Sequence, residues 1–216
     1  MKDIRIRFKK CGRAKYISHL DLARTMTRAI RRAGIPVWYT EGFNRHPYLT
    51  FAAPLSLGFE GLKESMDVRL VEDISMNELV SRLNDVLPEG LEVYSAGEPI
   101  LKAGEIDKAK YRLTFTGDTE SFDKFVSQDS ITVEKRSKKG ALRRLELKPY
   151  LEQAAIDKKE DGIRVIEITL PCSSSETVNP MLILSAYQSC PGSEPLPVFC
   201  KVLRLDLLDS KNNPFQ

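Results

Sequence analysis

The stretch IRIRFKKCGRAKYISHLDLARTMTRAIRRAGIPVWY, Ile4 to Tyr39, decides the fold. Ile4, Ile6 and Phe8 alternate with Arg5, Arg7 and Lys9, the period-two pattern of a strand with one apolar face. Cys11 to Lys15 is a basic loop. Ser18 stands three residues before Asp21, a capping-box-like start for a helix, and Gly34 and Pro36 stop it. At about 100° per residue, Leu22, Ala23, Met26, Ala29, Ile30 and Ala33 share one face, and Arg24, Arg28, Arg31 and Arg32 share the other. The first face belongs against a sheet and the second is an arginine stripe in solvent. Val37-Trp38-Tyr39 begins a second strand.

Downstream, a loop from Gly42 to Pro47 interrupts that strand, and apolar residues resume at Leu49 and Phe51. Met66, Val68 and Leu70 mark a third strand. Ser75 and Glu78 form another capping box, opening a helix to about Leu87. Pro88-Glu89-Gly90 breaks it, and Leu91–Tyr94 is a fourth strand. The order βαββαβ predicts a ferredoxin-like sandwich, one antiparallel sheet with two helices on one face. A linker, 97–108, follows.

The second half repeats the element order. Tyr111–Phe115 reads as a strand, and Asp118 or Thr119 caps a helix through Val126. Ile131–Lys135 and Leu142–Leu147 read as a hairpin around Ser137-Lys138-Lys139-Gly140. Ile163–Leu170 alternates clearly, a helix runs from Pro180 to about Tyr187, and Phe199–Leu207 is the last strand. The expected class is α+β, two tandem ferredoxin-like (βαββαβ-type) units with antiparallel sheets. They occupy residues 1–96 and 109–216, the second with an added hairpin strand.

Charge is distributed unevenly. Residues 1–50 hold twelve Lys/Arg against three Asp/Glu, while the remaining 166 residues hold 21 against 27. Such polarity points to an anionic partner. No stretch of about 18 apolar residues occurs, so no membrane-spanning helix and no membrane partner are expected, and the alternating N-terminus does not resemble a signal peptide. A cytoplasmic location is the expectation. No two of Cys11, Cys172, Cys190 and Cys200 are closer than ten residues, which excludes a local CxxC zinc knuckle and a closely spaced iron–sulfur triad.

Both histidines lie beside the first helix, in Tyr16-Ile17-Ser18-His19-Leu20-Asp21 and in Gly42-Phe43-Asn44-Arg45-His46-Pro47. A helix N-terminus offers free N–H groups to a phosphate, and Lys15 and Arg24 reinforce it. Phe43, Asn44, Arg45 and His46 are types that stack on bases, read base edges and bind phosphates. The expected RNA-binding set is Lys15, His19, Arg24, Arg28, Arg31, Phe43, Asn44, Arg45 and His46. A bland reading competes at each place: Ser18 and Asp21 as an ordinary cap, and Gly42–Pro47 as a solvated turn.

Three other roles compete for these residues. His19 and His46 together suit metal-independent general acid–base cleavage of RNA. A metal triad of His19, Asp21 and His46 is disfavoured, because residues two apart on a helix point nearly opposite ways. The basic face also suits docking of an acidic protein. Lys135, Arg136, Lys138, Lys139, Arg143 and Arg144 form a second basic cluster. No nucleotide-binding glycine loop or Gly-x-Ser-x-Gly elbow is present, so no cofactor and no metal are expected.

The run KYISHLDLARTMTRAIRRAGIPVWYTEGFNRHPYLTFAAPLSLG, from Lys15 to Gly58, resembles the bacterial radical SAM-linked (radical SAM-associated) family, a domain of unknown function. That family carries SHLDL, RALRRAGLP, SQGFNPHP and FA.PL.LG segments at the same spacing. This chain has Thr40-Glu41 and Arg45 where the family has Ser-Gln and Pro, which replaces an Asn-Pro turn with a cation. Such proteins occur alone or joined to the C-terminal side of a radical SAM protein. The resemblance therefore implies an accessory role beside a radical SAM enzyme, in tRNA or rRNA modification. The chain lacks the CxxxCxxC triad and cannot itself hold that enzyme's cluster. The leading expectation is a non-catalytic RNA-binding or substrate-presenting module.

Overall fold

Ile4, Ile6 and Phe8 turn to one side of β1 (Lys2–Lys10) and meet the apolar stripe of α1 (His19–Arg32), where Leu22, Met26, Ala29 and Ile30 are buried. Ser18 caps α1 by accepting from the Asp21 N–H, and Gly34 follows its end at φ 62°, a left-handed position that favours glycine. In the computed structural model, residues 1–116, 119–136, 142–158, 162–190 and 200–216 are described. The chain is α+β, with a mostly antiparallel sheet and few helices. It divides into two compact units, Met1–Asp107 with Leu203–Gln216, and Lys108–Val202.

The first unit continues through β2 (Leu49–Phe51), β3 (Glu60–Leu70), α2 (Met76–Asn84) and β4 (Leu91–Gly97). β1 pairs antiparallel with both β3 and β4, and β2 pairs antiparallel with β3. The strand order is thus β4-β1-β3-β2. Leu79 and Leu83 of α2 close the same core as α1, so both helices cover one face of the sheet. Val37 and Tyr39 make only isolated bridges, to Leu70 and Pro47.

β3 begins six residues before the apolar run at Met66, because Glu60, Glu64 and Ser65 are buried polar residues that break the apolar alternation. The chain's last strand, β10 (Cys200–Leu208), pairs parallel with β3 through Leu203 and Arg204. Arg204 forms a buried ion pair with Glu64 and donates to the Ala53 carbonyl at 2.8 Å. A Cβ on Gly61 would stand 2.1 Å from Glu64 Oε1, so glycine there leaves room for that carboxylate. This pairing places the segment from Leu203 in the first unit, whereas its position in the sequence suggested the second. The 97–108 stretch is likewise tied down. Its Leu101 N–H donates to the Gln216 carbonyl at 2.8 Å, and its Asp107 N–H donates to that of Leu208 at 2.9 Å.

The second unit holds β5 (Lys108–Thr116), α3 (Thr119–Val126), β6 (Thr132–Arg136), β7 (Leu142–Glu146), α4 (Lys148–Glu152), β8 (Ala155–Lys158), β9 (Ile163–Pro171) and α5 (Met181–Gln188). β9 pairs antiparallel with β5 and β8, and β6 with β7 in a separate ribbon. Phe115, Phe122, Phe125 and Tyr187 form an aromatic cluster that seats α3 and α5. The hairpin tip at 137–141 and the Asp118 cap lie outside the described residues. α4 and β8 were not anticipated from the sequence. Each is five residues or shorter and lacks a full period of its pattern.

Candidate functional site

α1 presents Arg24, Arg28, Arg31 and Arg32 on its exposed side. The two ends of that stripe differ in their partners. At the N-terminal end, the Ser18 hydroxyl donates to Asp21 at 2.7 Å and accepts from the Asp21 N–H at 3.1 Å. The Ser18 hydroxyl, aided by Arg24, holds the Asp21 carboxyl below its ordinary value. Arg24 pairs with Asp21 at 3.4 Å. The Lys15 ammonium lies 5.1 Å from the Tyr16 ring centroid. The His19 ring packs edge-on against Phe51 with centroids 5.0 Å apart. The phosphate seat expected at this helix N-terminus therefore already holds a carboxylate of the chain's own, which repels an anion.

The C-terminal end is different. Arg28, Arg31 and Arg32 line an open hollow of about 500 Å³ together with Thr25, Val86 and Pro88. Arg32 donates to the Val86 carbonyl at 2.7 Å. Arg31 donates to the Arg45 carbonyl at 3.3 Å and lies 5.7 Å from the Tyr39 ring centroid. Carbonyls orient both guanidiniums without neutralising them. Arg28 makes no hydrogen bond or ion pair among the described residues. No Asp or Glu is among the described residues that line the hollow. The result is three full positive charges around one concavity with an apolar wall.

The Gly42–Pro47 loop joins this end. The Thr40 N–H donates to the His46 carbonyl at 2.9 Å, and the Tyr48 N–H donates to that of Trp38 at 2.9 Å. These bonds make the loop the tip of a short hairpin. Phe43 stands wholly exposed at that tip, and Asn44, Arg45 and His46 are exposed beside it. His46 Nδ1 lies 3.2 Å from the Pro47 carbonyl. Arg31 and Arg45 thus tie the loop to the C-terminal end of α1.

His19 sits at the opposite end. Twelve residues separate it from Arg31, about 18 Å along a helix axis. His46 lies instead on the hairpin that Arg31 holds through the Arg45 carbonyl, while the His19 partner Phe51 ends β2. The two imidazoles are not brought together around one phosphodiester, nor do His19, Asp21 and His46 converge. Among the described residues no three His, Cys, Asp or Glu side chains are grouped to hold a metal. Also among the described residues, no helix is long and apolar enough to cross a membrane.

In the second unit, Arg143 and Arg144 are exposed on β7, where Arg144 faces Glu134 across the ribbon. Lys138 and Lys139 lie outside the described residues. No local sequence pattern marks Thr25, Val86 and Pro88 as neighbours. Only the packing of the segment after α2 beside α1 shows that they share a hollow.

Residues 3–180 match a family described as "Uncharacterized protein conserved in bacteria (DUF2344)", and the chain belongs to that family. No curated protein matches it. Among solved structures, a chain of the "Crystal Structure of a Cbf5-Nop10-Gar1 Complex" is similar in fold, with a TM-score of 0.51 and 9% identity. The likeness covers 94% of this chain and 48% of that one, so this chain spans about half of that structure's length.

Proposed function

We propose that this member of an uncharacterized bacterial family is a non-catalytic module that binds RNA and presents it to a radical SAM enzyme modifying tRNA or rRNA. The observation that carries the RNA reading is the set of guanidiniums of Arg28, Arg31 and Arg32 around one hollow without a carboxylate. Arginine keeps its charge across the physiological range and binds phosphate through a planar fork of donors. Phe43 supplies an exposed ring close to those charges, the combination used to hold single strands. The radical SAM partner rests on the sequence resemblance, and a cytoplasmic location accords with it.

Two tandem ferredoxin-like units are part of the same reading. The βαββαβ order and β4-β1-β3-β2 strand order support it for the first unit, and the β5-β9-β8 order supports it for the second. Separation of the two histidines weighs against the ribonuclease alternative.

The test is the nucleic acid recovered with natively purified protein. Intact RNA is expected, with less retained by Arg28→Ala/Arg31→Ala. Incubation with mixed cellular RNA in EDTA should leave that RNA uncut. Defined cleavage that His19→Ala or His46→Ala abolishes would replace this reading with the ribonuclease. Capture of an acidic protein and no RNA would replace it with protein docking.

A further inference from the structure

The sheet face of the first unit that turns away from α1 and α2 carries polar side chains in register. Arg7 on β1 lies directly opposite Ser65 on β3 and Ser95 on β4. The pairing of β1 with β4 then shifts: Phe8 faces Val93, which leaves Tyr94 as the extra residue of a bulge. A bulge of this kind re-aims a side chain, and Tyr94 joins Arg7 on the same face. Arg7, Lys63, Ser65, Tyr94 and Asp206 line a pocket of about 140 Å³ walled by Pro214–Gln216.

The hydroxyls of Ser65 and Ser95 are buried and have no hydrogen-bond partner among the described residues. Ser65 is only 6% exposed. Leaving a buried hydroxyl unpaired is costly, so that of Ser65, in the pocket wall beside a guanidinium, calls for an acceptor. Lys63 pairs with Asp206 at 2.5 Å, which neutralises that carboxylate. Glu64, whose charge also reaches Tyr94, is paired with Arg204. Arg7 forms no ion pair among the described residues, so its charge remains uncompensated at the pocket.

We infer that this pocket is a second anion site, taking a small phosphate-type oxyanion on Arg7, Ser65 and Tyr94. Two hydroxyls and a guanidinium with several N–H donors suit a tetrahedral oxyanion better than the two oxygens of a carboxylate. Burial pushes the Tyr94 phenol up, so it stays protonated and able to donate at neutral pH. The volume of about 140 Å³ is below the roughly 300 Å³ at which pockets for drug-sized ligands begin, so the site takes a phosphate group and not a nucleoside. It is independent of the RNA reading, because none of its residues lies on the arginine hollow.

The experiment is calorimetric titration of inorganic phosphate into full-length Arg28→Ala/Arg31→Ala/Arg32→Ala protein, which removes the competing hollow. Saturable binding of one phosphate is expected. Adding Ser65→Ala should weaken it about tenfold, the loss of a hydrogen bond to a charged group, without lowering the melting temperature in phosphate-free buffer. Arg7→Gln should abolish phosphate binding but, in the otherwise wild-type chain, leave RNA retention unchanged. If Arg7→Gln does not fold, Ser65→Ala decides alone. No saturable phosphate binding, equal binding of acetate, or affinity indifferent to Ser65→Ala would overturn the site.

Discussion

The first unit uses arginine in two opposite ways. Arg5 and Arg204 are 1% and 2% exposed and are engaged inside the protein. Arg5 forks onto both oxygens of Asp67 at 2.8 and 2.9 Å, donates to the Gln216 carbonyl at 2.9 Å, and lies 4.1 Å from the Phe215 ring centroid. Arg204 is bound to Glu64 and to loop carbonyls. Arg28, Arg31 and Arg32 stand in solvent around a hollow that no acid lines among the described residues. A charge tally treats Arg5 and Arg28 alike. Partners separate them: a guanidinium with a carboxylate ties the fold together, and one without remains available to a ligand.

The largest effect that sharpens this contrast is on the buried side. Arg204→Ala strips the buried Glu64 of its ion-pair partner and leaves only the neighbouring Lys10 to offset it, so chemical denaturation should show a loss of about 3 kcal/mol, the low end for breaking a buried pair. Arg28→Ala should change stability by less than about 0.5 kcal/mol, as surface substitutions do. Comparable losses from the two changes would break the comparison.

Next comes the ring at the hairpin tip. Phe43→Ala removes a fully exposed side chain and should leave the melting temperature unchanged. Affinity for single-stranded RNA should fall by about 1–3 kcal/mol if a base stacks there. An unchanged affinity in fluorescence anisotropy would confine the interface to the helix.

The smallest effect concerns acid. Hydrogen bonds and ion pairs hold the carboxyls of Asp21, Glu146, Glu167 and Asp209 below their ordinary values. The leading partners are Ser18, Ser130, Arg112 and Asn213 respectively. With folded values below unfolded ones, their stabilisation is complete above the unfolded carboxyl range. It is lost as pH falls from about 4 through the folded values, where the unfolded chain binds more protons. A melting temperature that rises on acidification from pH 5 to 3 would contradict these assignments.

Much of this fold is legible in the sequence. The Ser18 and Ser75 caps, the stripe from Leu22 to Ile30, and the alternation of β1 and β9 are local patterns, and each formed the expected element. What stayed hidden depends on distant partners. Glu64 and Arg204 are 140 residues apart, and their pairing brings the last strand to β3. Nothing local marks Val86 and Pro88 as a wall beside α1. The bulge at Tyr94 and the register of Ser65 and Ser95 with Arg7 exist only once β1 is paired on both sides.

The most direct measurement is the salt dependence of binding to single-stranded RNA by the full chain and by Arg28→Ala/Arg31→Ala/Arg32→Ala. If these three guanidiniums contact phosphates, the log–log slope should become shallower by about 2, at roughly 0.7 per contact, while the fold is retained. An identical slope in both proteins would contradict the claim that the unpaired arginines of α1 form the RNA-binding surface.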